Sequence, residues 1–496
     1  MNATYMRVSK AIIIGSGVAG MATAIRLAIR GYDVAIFEKN EYPGGKLYAF
    51  EKGGFRFDAG PSLFTQPENL QELFDLAGEP LENYFTFQPV DIACKYFFEN
   101  GKTVNAYCNP ERFSREMEEQ LKEDPQKITG YLKRSRKLYE NIGALFLDHS
   151  IHQNKTWKFK KLIKALSTVK LDYLFQSLNK YNNKVLDSPE AVQIFNRFAT
   201  YNGSNPYKAP AMLSMVPHLE QNQGVFYPGG GMISITNALY KLAKDKGVRF
   251  LFNTPVQRII HHEGRVKGVV VNSENKLADI VVSNSDIYFT YKNLLNNATG
   301  AKAVLKQERS SSAIIFYWGI KKQFDQFELH NVFFSRDYRK EFDAIFNAKE
   351  VSDDPTVYIN ITSKMETTHS PAGKENWFVM VNTPCDTGQN WPDIIQQLRK
   401  NVISKLSRML GEELEALIET ETVLDPIMIQ QQTASFKGSI YGSGSNSRFA
   451  AFFRHANFTN SIKGLYFCGG SVHPGGGIPL CLKSAKIVDG LVTANT

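Results

Sequence analysis

The sequence predicts an α/β fold that opens with a dinucleotide-binding βαβ unit, and three local features carry that prediction. Residues 10–14 (KAIII) are a short β-branched run that stops at glycines, the pattern of a buried parallel strand. Gly15, Gly17 and Gly20 follow as G-x-G-x-x-G and lead into an alanine-rich helix from Val18 to Arg30, with Gly31 placed for a left-handed cap. DVAIFE (33–38) is a second strand that ends on Glu38. In such a unit the first glycine makes the tight turn and the second lets backbone approach a pyrophosphate. The third brings helix and strand together, while amides at the helix N-terminus face the anion. Glu38 stands where a carboxylate accepts from a ribose and repels a 2′-phosphate, which disfavours NADP.

This unit alone does not choose between FAD and NAD. Gly44, Gly45 and Lys46 (GGK) and the glycine-rich turn from Gly469 to Pro479 argue for FAD. A nucleotide extended across the protein needs a second backbone cradle for its ring system. The helix that starts near Ile478 offers its positive end there.

Further along, GFRFDAG alternates as an antiparallel excursion does, and 110–225 reads as mostly helical and basic. Between Gln153 and Leu171 lie six lysines and no acidic residue, interleaved with Trp157, Phe159 and Leu162. That stretch reads either as a solvated helix face or as an interfacial helix with lysines on anionic headgroups. GVFYPGGGMISITNAL (224–239) is a glycine turn and a helix, 248–286 reads as strands and hairpins, and 310–385 as a separate antiparallel sheet. A strand, a glycine turn and a helix close the chain at 464–491.

The formal charge of +9 suits an acidic partner, a membrane surface or nucleic acid, and no nucleic-acid motif accompanies it. Five cysteines without a CxxC pair indicate neither a disulfide framework nor a zinc site, so no metal is expected and a reducing cytoplasm fits. The N-terminus lacks the pattern of a signal peptide. No apolar run approaches the roughly 20 residues of a membrane span, so any membrane contact is expected on one face.

IIIGSGVAG, GGK, GFRFDAGPSLFTQPE, VFYPGGGM and GLYFCGGSVHPGGGIPLCLKSAK together resemble the bacterial phytoene-desaturase-type carotenoid desaturases. The resemblance covers nearly the whole chain, least distinctively over 110–220. SLFTQPE and FATYNGSNPYKAPAMLSMVPHLE look most like the 1-hydroxycarotenoid 3,4-desaturases within that family. It implies an amine-oxidase-like flavoprotein: a Rossmann-like FAD-binding domain in three pieces (1–90, 225–290, 426–496), an antiparallel-sheet substrate domain (91–109, 291–425) and a helical, membrane-facing insertion (110–224).

FAD contacts carried over are Gly15, Ser16, Gly17, Val18, Ala19 and Gly20 at phosphate, and Glu38 with Lys39 at the ribose. Gly45, Lys46 and Leu47 lie beside these. Pro61, Ser62 and Leu63 would sit near the flavin, Val256 would hold the adenine by its backbone, and Gly470, Ile478 and Pro479 would close the isoalloxazine end. Two departures stand out. Lys46 occupies a place that is often arginine, keeping charge but not bidentate geometry. FFRH (452–455) replaces a common FRP run.

The implied activity is insertion of a C=C bond into a carotenoid by an enzyme lying on the inner face of the membrane, with oxygen or quinone taking the electrons. His473 is the candidate base, against the plainer role of ordering a glycine loop; His218, His261 and His262 read as structural or exposed. Tyr201, Asn202 and Asn205 are candidate partners for a substrate hydroxyl. The alternatives are desaturation of phytoene or another acyclic carotene, an amine or protoporphyrinogen oxidase on the same fold, and a non-enzymatic lipid chaperone.

Overall fold

The computed structural model describes residues 8–153, 172–446 and 454–495. The βαβ unit forms as its spacing dictates, with strand Lys10–Ile14, helix Val18–Ile29 and strand Asp33–Phe37. The two strands pair in parallel from Lys10↔Asp33 to Ile14↔Phe37. They sit inside a five-stranded parallel sheet ordered Leu465–Phe467, Ile280–Ser283, Lys10–Ile14, Asp33–Phe37, Arg249–Leu251. Its strands thus come from three distant stretches of chain. The first helix fits against the sheet because its buried side chains include the small Ala19, Ala22 and Ala24, and helices Ile233–Asp245 and Ile478–Asn495 pack beside it.

GFRFDAG does turn back: Phe55–Ala59 pairs antiparallel with Tyr48–Lys52. The second large sheet has seven strands, ordered Ile418–Leu424, Ser312–Ile320, Glu375–Thr383, Val357–Asn360, His330–Phe333, Ile92–Phe97, Thr103–Tyr107. The strands of 310–385 pair antiparallel as expected, and the sheet is extended by a parallel pairing of His330–Phe333 with Ile92–Phe97. These two strands belong to remote segments, so no hairpin forces them to oppose.

Period-two alternation gives this sheet two faces. Phe316, Trp318, Val357, Ile359, Trp377 and Val379 form a dry face with Trp391, Leu398, Val402 and Leu406 of helix Trp391–Leu410. Ile315, Tyr317, Phe378, Met380 and Tyr358 point the other way, against Phe55 and Phe57 of the Tyr48–Ala59 hairpin. Helices Pro110–Leu121, Pro125–Leu138 and Pro189–Arg197 each begin with proline after a capping Asn109, Asp124 or Ser188. They pack on the Tyr96 and Phe334 edge of the sheet through Phe113, Tyr131 and Phe195.

The lysine- and aromatic-rich stretch, read above as a solvated or an interfacial helix, lies from residue 154 to 171 outside the described residues. Among the described residues no helix is long and apolar enough to cross a membrane, and no His/Cys/Asp/Glu group is arranged to hold a metal.

Candidate active site

The first glycine turn is closed by Glu38. Ser16 donates from both N and Oγ to Glu38 Oε2 at 2.8 Å, and Asn40 N donates to Oε1 at 2.9 Å. The carboxylate is buried at the C-terminal edge of its strand, with lone pairs left for a ribose. Glu38 N donates to Leu251 O and Thr254 N to Glu38 O, which brings the run containing Val256 alongside. The side chain of Lys39 turns outward and donates to Gln431 O at 2.6 Å.

A φ of +93° demands glycine at Gly15, and contact demands it at Gly17 and Gly20. A Cβ on Gly20 would lie 2.2 Å from Gly15 O, and one on Gly17 2.7 Å from the Asn284 amide. Asn284, which sequence reasoning missed, joins the first glycine turn to the last. It accepts from Gly17 N at 3.2 Å and donates to Cys468 O at 3.3 Å. Its signal was positional: it follows strand Ile280–Ser283, at the carboxyl edge where parallel sheets bind ligands.

A second cradle gathers cations, with Arg309 and Arg454 buried and Lys46 half-buried. Lys46 Nζ donates to Ile440 O at 2.9 Å, and burial holds its pKa below the usual lysine value. Arg309 Nη2 meets Asp286 Oδ2 at 2.7 Å, both side chains almost wholly buried. Arg454 Nη1 donates to Tyr441 O at 2.6 Å and Gly470 O at 3.1 Å; burial, then the charge of Arg309, lowers its pKa to about 10. Three cations thus face one carboxylate beside the Gly469–Gly477 turn. The Nε and Nη1 atoms of Arg309 are buried and find no partner among the described residues. Buried donors of this kind call for an acceptor. A dinucleotide with a pyrophosphate and an electron-rich flavin edge fits both cradles: amides and Glu38 at one end, cations and the start of helix Ile478–Asn495 at the other. Val18, Ala19, Leu47 and Ile478 are buried core positions, so their contribution to such a ligand is backbone and wall.

The loop after the hairpin links this cradle to the seven-stranded sheet. A Cβ on Gly60 would fall 1.9 Å from Lys46 O, so Pro61, Ser62 and Leu63 leave directly from the Lys46 wall. Ser62 Oγ lies 2.8 Å from Tyr358 OH, and Leu63 packs with Val90, Tyr227 and Leu329.

His473 sits in the glycine turn, 3% exposed, with Nε2 donating to His149 O at 3.0 Å. Burial pushes its pKa down to about 4, and the buried His330 falls to about 3. His218 is also buried, whereas His261 and His262 are exposed. Of the residues suggested for a substrate hydroxyl, Tyr201 OH bonds to Glu220, which also takes Arg197 Nη2 at 2.7 and 2.8 Å. Asn202 Nδ2 donates to Ser445 Oγ at 3.0 Å, and Asn205 N to Asn446 Oδ1 at 2.7 Å. Asn202 and Asn205 thus brace the helical region against the C-terminal segment, while Tyr201 is held within that region.

The buried histidines give the fold an acid limit. Because their folded pKa values lie below the unfolded 6.5, protons bind the unfolded chain first, and stability falls as pH drops from about 6.5 toward 4. Denaturant titration at pH 5 should show about 2 kcal/mol less stability per histidine than at pH 7, and His473→Gln should remove its share of that slope.

The family of flavin-containing amine oxidoreductases matches residues 18–488. A 1-hydroxycarotenoid 3,4-desaturase of Flavobacterium sp. (strain P99-3) is 48% identical over 97% of this chain and 99% of its own length. A 4,4′-diapolycopene oxygenase of Methylomonas sp. is 32% identical over 98% of each chain. Among solved structures, cyclohexylamine oxidase from Brevibacterium oxydans superposes with a TM-score of 0.63 at 15% identity, over 99% of both chains. That last likeness speaks for the fold.

Proposed function

This chain belongs to the flavin-containing amine oxidoreductase family, and from that premise we propose that it is an FAD-dependent desaturase that introduces the 3,4 double bond into 1-hydroxycarotenoids. The observation that carries this reading is the likeness to the Flavobacterium desaturase, 48% identity with almost nothing left over in either chain. Bound FAD supplies a two-electron acceptor for oxidising an allylic CH–CH pair. Glu38 holds the ribose by its free lone pairs, and the amides following Gly17 meet the pyrophosphate. Lys46, Arg309 and Arg454 stand against negative charge at the far end, the role their excess over Asp286 supports.

The sheet face of Ile315, Phe378 and Met380, packed against Phe55 and Phe57, is an apolar wall that guides the polyene and keeps water out. His473 is the proton acceptor in this reading. Its Nε2–H is held on the His149 carbonyl, which leaves Nδ1 as the basic nitrogen, and a pKa of about 4 keeps the ring neutral at physiological pH. A base that weak suffices for a C–H made acidic by positive charge spread along the polyene. The substrate lies in the bilayer, and the charge of +9 supports docking on an anionic surface; the electrons pass on to oxygen or a quinone.

Anaerobic mixing of the FAD-loaded protein with a 1-hydroxycarotenoid or with phytoene, in anionic and neutral liposomes, tests the reading. Loss of the oxidised-flavin band and a red-shifted pigment with the hydroxylated substrate alone, faster on anionic vesicles, is the expected result. Reduction by phytoene as well would move the protein to general carotene desaturation, and reduction by neither would end the proposal. His473→Gln should lower the rate of flavin reduction about 10²-fold while keeping the bound-flavin spectrum.

A further inference from the structure

We infer that Ser62 reads the tertiary hydroxyl of the polyene, as an acceptor whose direction is fixed by Tyr358 and His330; this rests on the desaturase reading above. Tyr358 and Asn360 lie on the same face of their strand, and the register pairs Asn360 with His330. A short chain of hydrogen bonds runs through them: Ser62 Oγ to Tyr358 OH at 2.8 Å, and Tyr358 OH to His330 Nδ1 at 2.7 Å.

The neighbours of this chain decide where its protons sit. Asn360 Nδ2 donates to Leu329 O at 3.1 Å, which fixes that amide, and the same nitrogen faces His330 Nδ1 at 3.1 Å. An N–H pointing at Nδ1 requires a lone pair there, so the neutral ring carries its proton on Nε2. Tyr358 must then donate to Nδ1 and can accept only on its oxygen, so the Ser62 hydroxyl donates to Tyr358. Ser62 is left with lone pairs alone to offer. Burial keeps His330 and Tyr358 neutral, lowering the pKa of the first and raising that of the second, so this direction does not reverse at working pH. His330 Nε2 is buried without a partner among the described residues. Such a group is costly to keep, which marks the chain as more than packing.

Position agrees with direction. Ser62 follows two residues after Gly60, which is pressed on the Lys46 carbonyl, so it stands at the rim of the second cradle. Pro61, Ser62, Leu63 and Tyr358 all keep accessible surface at this junction. In a 1-hydroxy polyene only one methylene separates the carbinol carbon from the bond oxidised at positions 3 and 4. The group that reads the hydroxyl must therefore stand beside the reacting end of the cofactor. A hydroxyl donates to Ser62; a terminus without one leaves that acceptor dry and unpaired, which is how a site rejects the unhydroxylated analogue.

The test compares kcat/KM, normalised to bound flavin, for a 1-hydroxycarotenoid and for the same polyene lacking the hydroxyl. Wild type should prefer the hydroxylated substrate. Ser62→Ala should lose about tenfold or more of that preference, Ser62→Thr should restore it, and Tyr358→Phe should lower it by a smaller factor. A Ser62→Ala enzyme with the wild-type preference overturns the inference alone. A wild-type enzyme that desaturates neither substrate removes the desaturase reading and the inference together.

Discussion

Replacing Arg309 with leucine should cost about 3–5 kcal/mol of stability, because it takes from the buried Asp286 carboxylate the guanidinium bonded to it. Asp286 is not free to move into solvent. Its Oδ1 accepts from Tyr288 N at 2.9 Å and Oδ2 from Arg309 at 2.7 Å, and both side chains are nearly inaccessible. Denaturant titration of the flavin-free protein measures the loss, and a change within about 1 kcal/mol of wild type would sink the argument. The double variant Asp286→Asn/Arg309→Leu separates two roles. A neutral amide still accepts from Tyr288 N but no longer needs a cation, so much of the stability should return. FAD affinity should stay low in both variants, since the two unpaired nitrogens of Arg309 are gone either way. A double variant that regained both stability and FAD would reduce Arg309 to a structural counter-ion.

That ion pair also shows where sequence reading stops. The βαβ unit was legible because each of its requirements is local: a β-branched run, glycines at fixed spacing, a cap at Gly31 and an acid at the strand end. Lys46 was legible as part of GGK. Arg309 and Asp286 are separated by 22 residues that form short helical segments, and only tertiary packing brings them together. Arg454 was visible only as a departure, within FFRH, from the FRP run of the resembling family. In the folded chain its guanidinium clamps the carbonyls of Tyr441 and Gly470 across the last glycine turn. The single parallel pairing in the seven-stranded sheet escaped for the same reason, because alternation reports which face a residue takes and not which strand lies beside it.

Gly20→Ala should yield a protein that is purified colourless, against the usual sign of such a change. Inside a helix, glycine to alanine ordinarily gains about 0.5–1 kcal/mol, and Gly20 lies within Val18–Ile29. Here the added methyl would stand 2.2 Å from the backbone oxygen of Gly15 and 3.0 Å from the Asn284 amide. The first is backbone and the second an amide tied to Gly17 N and Cys468 O, so the helix itself must move away from the turn. Overpacking of this kind costs about 1–3 kcal/mol, and more where backbone meets backbone. The larger effect falls on the cofactor, because the displaced helix withdraws the amides that the first turn presents and loosens Asn284 from Gly17 N. Gly31→Ala is the control: nothing lies within 4 Å of its Cβ, and its φ of +85° carries a torsional cost of about 1 kcal/mol without touching the cradle. The ratio of flavin to protein after reconstitution distinguishes them. Gly31→Ala should bind FAD like wild type at slightly lower stability, and Gly20→Ala should lose at least about 10²-fold in affinity, some 2.7 kcal/mol. Equal flavin content in both variants would mean that the close approach of helix and turn is not what shapes the phosphate site.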